Sequence, residues 1–198
     1  MADLRARQKG GRLSLGAELR NHFNPLVLQI RRMEKPVIGA VNGLAAGAGA
    51  SFILACDLKI AIHHSSFIQA FVRVGLAPDS GMSFYMPRHL GLSRALELAW
   101  TAKPLAADAA LQCGLINKIV PNAEELEREA SAMAEELAKQ PPLALALAKR
   151  ALNRSLEHTL DEQLEYEAQL QEFLGRSKDH AEGVAAFLEK RSAQFKGE

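Results

Sequence analysis

The spacing of apolar residues predicts helices that alternate with short strands in the first part of the chain. From Ala17 to Met33 the apolar residues recur at helical spacing, and Pro25 is expected at the start of a turn or at a bend. Short apolar runs bounded by glycine, proline or polar residues predict strands at 37–41, 57–62 and 67–71. The small residues that begin at Gly47 predict a helix through Leu54. Strand, helix and strand in this order favour parallel βαβ units.

Helical spacing dominates the remainder of the chain. It predicts a helix from Met82 and further helices at 92–101, 106–113, 123–140, 143–155, 160–175 and 180–195. One short strand is expected at 115–120, after Gly114 has ended a helix. Residues 1–16 are polar and predict a loop. We therefore predict an α/β core over residues 1–121 and a helical region over residues 122–198. The helical region is expected to pack on the core or on a neighbouring subunit, because its helices could not bury their apolar faces alone.

Composition and charge exclude several classes of protein. The 198 residues have a formal net charge of +1, so neither nucleic acid nor an anionic membrane is an expected partner. No apolar run approaches the roughly 18 to 20 residues that span a bilayer, and the polar start has no signal-peptide core. Cys56 and Cys113 lie in unrelated surroundings, which is typical of free thiols in a reducing cytosol. We predict a cytoplasmic protein without a metal site.

Two glycine-containing segments could carry chemistry. In the first, Asn42–Ala50, small residues would let the backbone approach a ligand, and the following helix would point free N–H groups at a developing oxyanion. Tight packing of a helix on a strand, with no ligand, explains the same residues. The second is Gly75–Gly81, in which Asp79 precedes a predicted helix. An aspartate at that place is either a helix N-cap or a catalytic base.

A third segment, Gly183–Arg191, closes the chain with an amphipathic helix that has a basic end. Lys190 and Arg191 there could simply compensate the helix dipole.

Taken in order, the three segments resemble the enoyl-CoA hydratase/isomerase superfamily, the crotonase-like enzymes. The matching stretches are VIGAVNGLAAGAGASFILACD at 37–57, QAFVRVGLAPDSGMSFYMPR at 69–88 and EGVAAFLEKR at 182–191.

The resemblance extends over essentially the whole chain and is strongest to the epoxyphenylacetyl-CoA isomerase subgroup of phenylacetate degradation. It implies a crotonase-like spiral of ββα units with a C-terminal helical extension. In the family, the first strands and one oxyanion amide precede the position of Met1, so we expect the N-terminal strands to be missing here. It also implies a homo-oligomer, a trimer or a hexamer, whose helical region mediates trimerisation.

The resemblance assigns roles to individual residues. Asp79 falls where the isomerases keep a catalytic aspartate, and Ala48 falls where a backbone N–H binds the thioester oxygen. Gly47 and Gly49 flank that amide and would contact the substrate. Phe187 and Lys190 fall where the last helix meets coenzyme A, often that of a neighbouring subunit. The two glutamates with which hydratases add water fall at Ser51 and Phe71.

These assignments imply an acyl-CoA isomerase that moves a double bond, or expands an epoxide ring, through an enolate-like intermediate. No metal or redox cofactor is implied, because coenzyme A is part of the substrate. Three alternatives stay open: an enoyl-CoA hydratase-type lyase, an aroyl-CoA dehalogenase in which the aspartate is a nucleophile, and a non-catalytic subunit that binds acyl-CoA. The absence of the N-terminal oxyanion segment motivates the non-catalytic alternative.

Overall fold

The computed structural model describes residues 14–198. The helices are α1 (Leu15–Glu18), α2 (Asn24–Arg32), α3 (Ala48–Ala55), α4 (Met82–Leu90), α5 (Leu92–Thr101), α6 (Ala107–Gln112), α7 (Ala123–Ala138), α8 (Pro142–Arg154), α9 (Leu160–Leu174) and α10 (Lys178–Glu189). The strands are β1 (Ile38–Val41), β2 (Leu44–Ala46), β3 (Leu58–Ile62), β4 (Ser66–Ile68), β5 (Leu105–Ala106) and β6 (Lys118–Val120). A π-helical turn joins α1 to α2 at Leu19–Phe23, and a 3-10 helix follows β4 at Ala70–Val74.

The strands form two small sheets that are mainly parallel, as the sequence predicts. In the first sheet β3 lies between β1 and β6 and is parallel to both. In the second sheet β4 is parallel to β2 and antiparallel to β5. The connection from β1 to β3 contains β2 and α3, and the connection from β2 to β4 contains α3 and β3. Helix α3 is therefore part of both parallel crossovers.

Pro25 has the effect expected of it at the start of a turn. Proline has no N–H to donate within a helix, and here it stands in the first turn of α2, where no such bond is needed. The turn before it is π-helical, and the N–H of Asn24 donates to the carbonyl of Leu19, five residues back.

The predicted loop at 1–16 falls largely outside the described residues. Of its last positions, Leu15 and Gly16 belong to α1, so the helix begins earlier than predicted.

The helical region packs on the α/β core through α7 and α8. Leu126 of α7 is buried against Ile60, Ile62 and Val120 on the first sheet. Lys149 of α8 forms an ion pair with Asp57, the residue before β3, at 2.6 Å. These contacts confirm that the C-terminal helices use the core as a packing surface. The proposed division at residue 121 stays a prediction.

The structure corrects three element boundaries. The strand predicted at 115–120 is limited to Lys118–Val120, and the run at 67–71 leaves the sheet after Ile68. The last helix ends at Glu189 and not at residue 195, because the chain reverses at Lys190, whose φ is 54°. The side chain of Asp179, at the start of α10, accepts hydrogen bonds from the N–H groups of Lys196 and Gly197. These two bonds place residues 196 and 197 beside the first turn of α10.

Within residues 14–198, no helix has both the length and the apolar character needed to cross a membrane.

Candidate active site

The start of α3 offers free N–H groups at a glycine-dependent turn. Gly47 has φ 54° and ψ −126°, a backbone conformation that a side chain would strain, and its N–H donates to the carbonyl of Ile68 at 3.0 Å. The N–H of Ser51 makes the first helical bond, to the carbonyl of Gly47. The preceding N–H groups, which include those of Ala48 and Gly49, therefore have no acceptor within the helix. This geometry is suited to binding an anionic oxygen.

The turn that contains Asp79 is fastened to this helix start by Ser51. The side chain of Ser51 is fully buried, and its hydroxyl lies 3.1 Å from the carbonyl oxygen of Asp79 and 3.4 Å from that of Gly47. One hydroxyl thus contacts both the main chain of the predicted base and the turn that presents the predicted oxyanion amide. The structure brings these two parts of the predicted site together.

The side chain of Asp79 does not cap α4. The N-cap position belongs to Gly81, and no side chain caps that helix end. The Asp79 carboxylate instead accepts a hydrogen bond from the hydroxyl of Ser80, with 2.8 Å between Ser80 Oγ and Asp79 Oδ1. Ser80 and Gly81 are both in the left-handed region, with φ 52° and 84°. The half-buried carboxylate is therefore not engaged by the helix end, whereas sequence reasoning alone could not separate a cap from a base.

Apolar or small side chains occupy the two positions to which the resemblance assigns the hydratase glutamates. Ser51 is enclosed in the protein, and Phe71 is a buried core residue. The Phe71 ring lies beside the Gly47 turn, with Cζ about 3.9 Å from the place where a Cβ on Gly47 would stand. Neither side chain could act as a carboxylate that activates water.

Sequence reasoning missed Gln69, which directly follows β4. It is buried, and its Nε2 is the one buried side-chain nitrogen or oxygen without a hydrogen-bond partner among residues 14–198. It borders a small cavity in the core together with Ala50, Leu54, Phe67, Ile68, Met82, Met86, Leu98, Leu105 and Leu115. A polar residue within an otherwise apolar strand segment was the available signal, but such a residue is usually placed at a surface.

The structure does not place Phe187 and Lys190 beside Asp79 within one chain. Phe187 is 82% exposed and borders a groove of about 490 Å³ at the side of α10, which Asp79 and Ala48 do not line. Lys190 is exposed just beyond the end of that helix. The two predicted coenzyme A contacts are thus available to solvent or to another copy of the chain.

A group of buried or half-buried titratable residues lies on α4 and on the adjoining segment 56–59. Burial, and after it the positive charges of Lys59 and Arg31, lowers the pKa of His89 to about 4. Burial likewise lowers the pKa of Lys59 and raises those of Cys56 and Tyr85. Burial of these groups explains the shifts without a bound ligand. Within the described part of the chain, no three His, Cys, Asp or Glu side chains are grouped so that they could hold a metal ion.

Known proteins resemble this chain in both sequence and fold. It is 44% identical to 1,2-epoxyphenylacetyl-CoA isomerase of Escherichia coli (strain K12) over 183 residues, which cover 92% of this chain and 70% of that protein. It is 39% identical to crotonyl-CoA hydratase of Syntrophomonas wolfei subsp. wolfei over 166 residues, covering 84% of this chain and 64% of the hydratase. The crystal structure of an enoyl-CoA hydratase from Polaromonas sp. JS666 superimposes with a TM-score of 0.91 at 34% identity, covering 98% of this chain and 76% of that one.

The superposition confirms the crotonase-like α/β fold with C-terminal helices that the sequence predicts. The family model described as enoyl-CoA hydratase/isomerase matches residues 2–198, so the match includes every segment that carries the predicted site. The chain belongs to the enoyl-CoA hydratase/isomerase family.

Proposed function

We propose that this chain is an acyl-CoA isomerase that moves a double bond along the acyl group of a coenzyme A thioester. The main observation behind this proposal is that Ser51 joins the Asp79 turn to the start of α3. In addition, the positions assigned to the hydratase glutamates are occupied by Ser51 and Phe71. The site then has one carboxylate suited to moving a proton and none at the second position needed to activate water. The similarity to an epoxyphenylacetyl-CoA isomerase supports the same choice, with expansion of an epoxide ring as the related reaction.

In this proposal the N–H of Ala48 donates to the thioester oxygen of the substrate. When a proton leaves the carbon next to the thioester, negative charge develops on that oxygen. One such donor typically stabilises the transition state by roughly 3 to 4 kcal/mol. Gly47 and Gly49 leave room for the acyl chain beside the amide, because neither has a side chain.

Asp79 is the proposed acid and base. Its carboxylate removes a proton near the thioester and returns one further along the acyl chain, so one residue serves both steps. A positioned base of this kind usually contributes about 10²- to 10⁴-fold to the rate. The reaction requires no metal or redox cofactor, since the enolate is stabilised by hydrogen bonds and coenzyme A enters as part of the substrate.

Phe187 and Lys190 are proposed to contact coenzyme A bound to a neighbouring copy, within a trimer or hexamer. Their exposure supports this, because residues 14–198 offer no surface that covers the 82% exposed Phe187 ring. Lys190 would approach a phosphate as a point charge.

Product analysis tests the proposal. Incubation of the chain with a 3-enoyl-CoA is expected to give the conjugated 2-enoyl-CoA. The product is measured by the absorbance of the conjugated thioester and by mass spectrometry. An isomer leaves the mass unchanged, whereas addition of water raises it. Rapid hydration of 2-enoyl-CoA, with 3-enoyl-CoA left unchanged, would contradict the isomerase proposal.

Hydration is the second candidate, and the similarity to crotonyl-CoA hydratase favours it. In that case Asp79 alone would have to activate the water and protonate the acyl chain. Because two carboxylates normally share this work, we expect hydration of crotonyl-CoA to be much slower than isomerisation of a 3-enoyl-CoA.

A further inference from the structure

Ser80 holds one oxygen of the Asp79 carboxylate from inside the protein. The Ser80 side chain is 3% exposed, and its hydroxyl donates to Asp79 Oδ1 at 2.8 Å. Within residues 14–198 no other group donates a hydrogen bond to this carboxylate. The half-buried Asp79 is thereby left with Oδ2 as its free acceptor.

Ser80 keeps this position at a conformational cost. Its φ of 52° is in the left-handed region, which non-glycine residues seldom adopt. The adjacent Gly81 is explained by sterics, because a Cβ there would stand 2.8 Å from Tyr85 Cε2. No comparable backbone requirement calls for serine at position 80, where glycine would satisfy the backbone better. A strained residue whose hydroxyl meets a carboxylate points to a role for the hydroxyl.

We propose that Ser80 is a positioning residue that fixes the Asp79 carboxylate so that Oδ2 carries the proton. The inference rests on the isomerase function proposed above. The C–H bond near the thioester breaks, an O–H bond forms at Oδ2, and the electron pair moves to the thioester oxygen. The enolate then collapses, a C–H bond forms further along the acyl chain, and the Oδ2–H bond breaks. The atoms balance without an oxidant or any second reactant.

Fixing the carboxylate has a consequence that a purely structural role would not have. A held Oδ2 can return the proton it has just taken. If the substrate carries deuterium at the carbon next to the thioester, part of that deuterium label is therefore transferred within the molecule. A carboxylate free to rotate presents either oxygen, and exchange with solvent competes more effectively with return. The fraction of label retained in the product therefore reports on Ser80 independently of the overall rate.

The test compares Ser80→Gly and Ser80→Ala with the parent, using a 3-enoyl-CoA deuterated at the carbon next to the thioester. Both variants remove the hydroxyl, but glycine also relieves the left-handed backbone and should leave the thermal midpoint equal or higher. We expect kcat to fall about tenfold with KM nearly unchanged, because orientation of the base is lost while substrate contacts remain. The retained label should fall in both variants. Ser83→Ala, a change of an exposed serine in the first turn of α4, is the matched control and should behave like the parent.

The outcomes separate this inference from the function on which it rests. If the parent isomerises and Ser80→Gly matches it in both kcat and label retention, Ser80 does not position Asp79 and the function stands. If the parent fails to isomerise any 3-enoyl-CoA, the proposed function and this inference fall together. If Ser80→Ala loses stability, label retention in its residual turnover and the Ser80→Gly result still decide the matter.

Discussion

At the scale of single residues, the buried hydroxyl of Ser51 contacts the carbonyl of Gly47, in the turn just before it, and the carbonyl of Asp79, 28 positions later in sequence. Each of the two carbonyl oxygens that it contacts belongs to a turn, one before α3 and one before α4. A hydroxyl has one proton to donate, so the two carbonyl oxygens share a single hydrogen-bond donor. The shorter contact is the one to the carbonyl of Asp79. Ser51 therefore fixes where the Asp79 turn lies relative to the Ala48 amide.

Replacement of Ser51 by alanine is expected to loosen this link. Loss of one buried hydrogen bond should lower the free energy of unfolding by about 1 kcal/mol, measured by urea denaturation. Isomerase activity should fall together with stability, because the Asp79 turn is no longer held. The matched control is Ser131→Ala, an exposed helical serine in α7, for which a small gain from helix propensity is expected. A Ser51→Ala chain as active and stable as the control would contradict this role.

His89 should make stability depend on pH. The folded protein protonates His89 only near pH 4, whereas an unfolded histidine has its ordinary pKa near 6.5. Between these values the unfolded chain binds more protons, so acidification through that window favours unfolding. His89→Gln should therefore flatten the fall in the free energy of unfolding from pH 6.5 toward pH 4. His64→Gln, at an exposed position, is the control. Equal slopes in the parent and His89→Gln would refute the assignment.

At the scale of secondary-structure elements, α8 is attached to the core by a nearly enclosed lysine. The Lys149 ammonium contacts the carboxylate of Asp57 and the carbonyls of Ile30 and Lys35, so its three protons all have acceptors. Asp57 also accepts the N–H of Val37, at the entrance to β1. One ion pair therefore joins α2, the first sheet and the helical region.

Removal of Lys149 should be costly, because it leaves the Asp57 carboxylate without its cation in a poorly solvated place. We expect Lys149→Met to lower the free energy of unfolding by about 3 kcal/mol. Lys178→Met removes the exposed pair with Glu198, where the lysine side chain is 81% exposed, and should cause no measurable change. Equal stability of the two variants in chemical denaturation would show that the Lys149 contact does not hold α8 in place.

The sequence predicted most of these elements, and the failures have physical reasons. The parallel pairing of strands followed from the order of strand, helix and strand, and the helices after Pro121 followed from apolar spacing. The two-residue strand β5 has no periodicity to detect. Helix α10 ends where Lys190 adopts a left-handed backbone, and the following chain returns so that Lys196 and Gly197 donate to Asp179, 17 and 18 positions earlier. At the site, the family resemblance pointed to Asp79 and Ala48, but the hydroxyl contacts of Ser51 and Ser80 depend on how distant turns meet. No local pattern contains that information.

At the scale of the whole molecule, the helical region exposes large apolar side chains that the described part of the chain, residues 14–198, does not cover. The most exposed are Leu152, Leu160, Phe187 and Leu188, each more than 70% exposed. Of these, Phe187 and Leu188 are adjacent and border the groove beside α10, and contiguous exposed apolar surface often marks a protein interface. This supports the predicted trimer or hexamer and the contact of Phe187 with a neighbouring subunit's ligand.

Assembly can be measured directly. Sedimentation equilibrium at micromolar concentration is expected to give three or six times the 21.5 kDa chain mass. Phe187→Ser, which replaces an exposed ring by a small polar group, should weaken coenzyme A thioester binding and assembly if both use this surface. Glu136→Gln, an exposed change in α7, is the control. A stable monomer at that concentration would count against the proposed arrangement.

The Asp79→Asn variant tests the central claim, that Asp79 is the base of an acyl-CoA isomerase. Asparagine preserves the size and the hydrogen-bonding shape of the side chain but cannot take the proton. We expect kcat for 3-enoyl-CoA isomerisation to fall by about 10²-fold or more, while the acyl-CoA dissociation constant changes little. Asp108→Asn, in the first turn of α6, should retain the parent's activity. If the parent isomerises and Asp79→Asn isomerises at the same rate, Asp79 is not the base and the proposed mechanism is wrong.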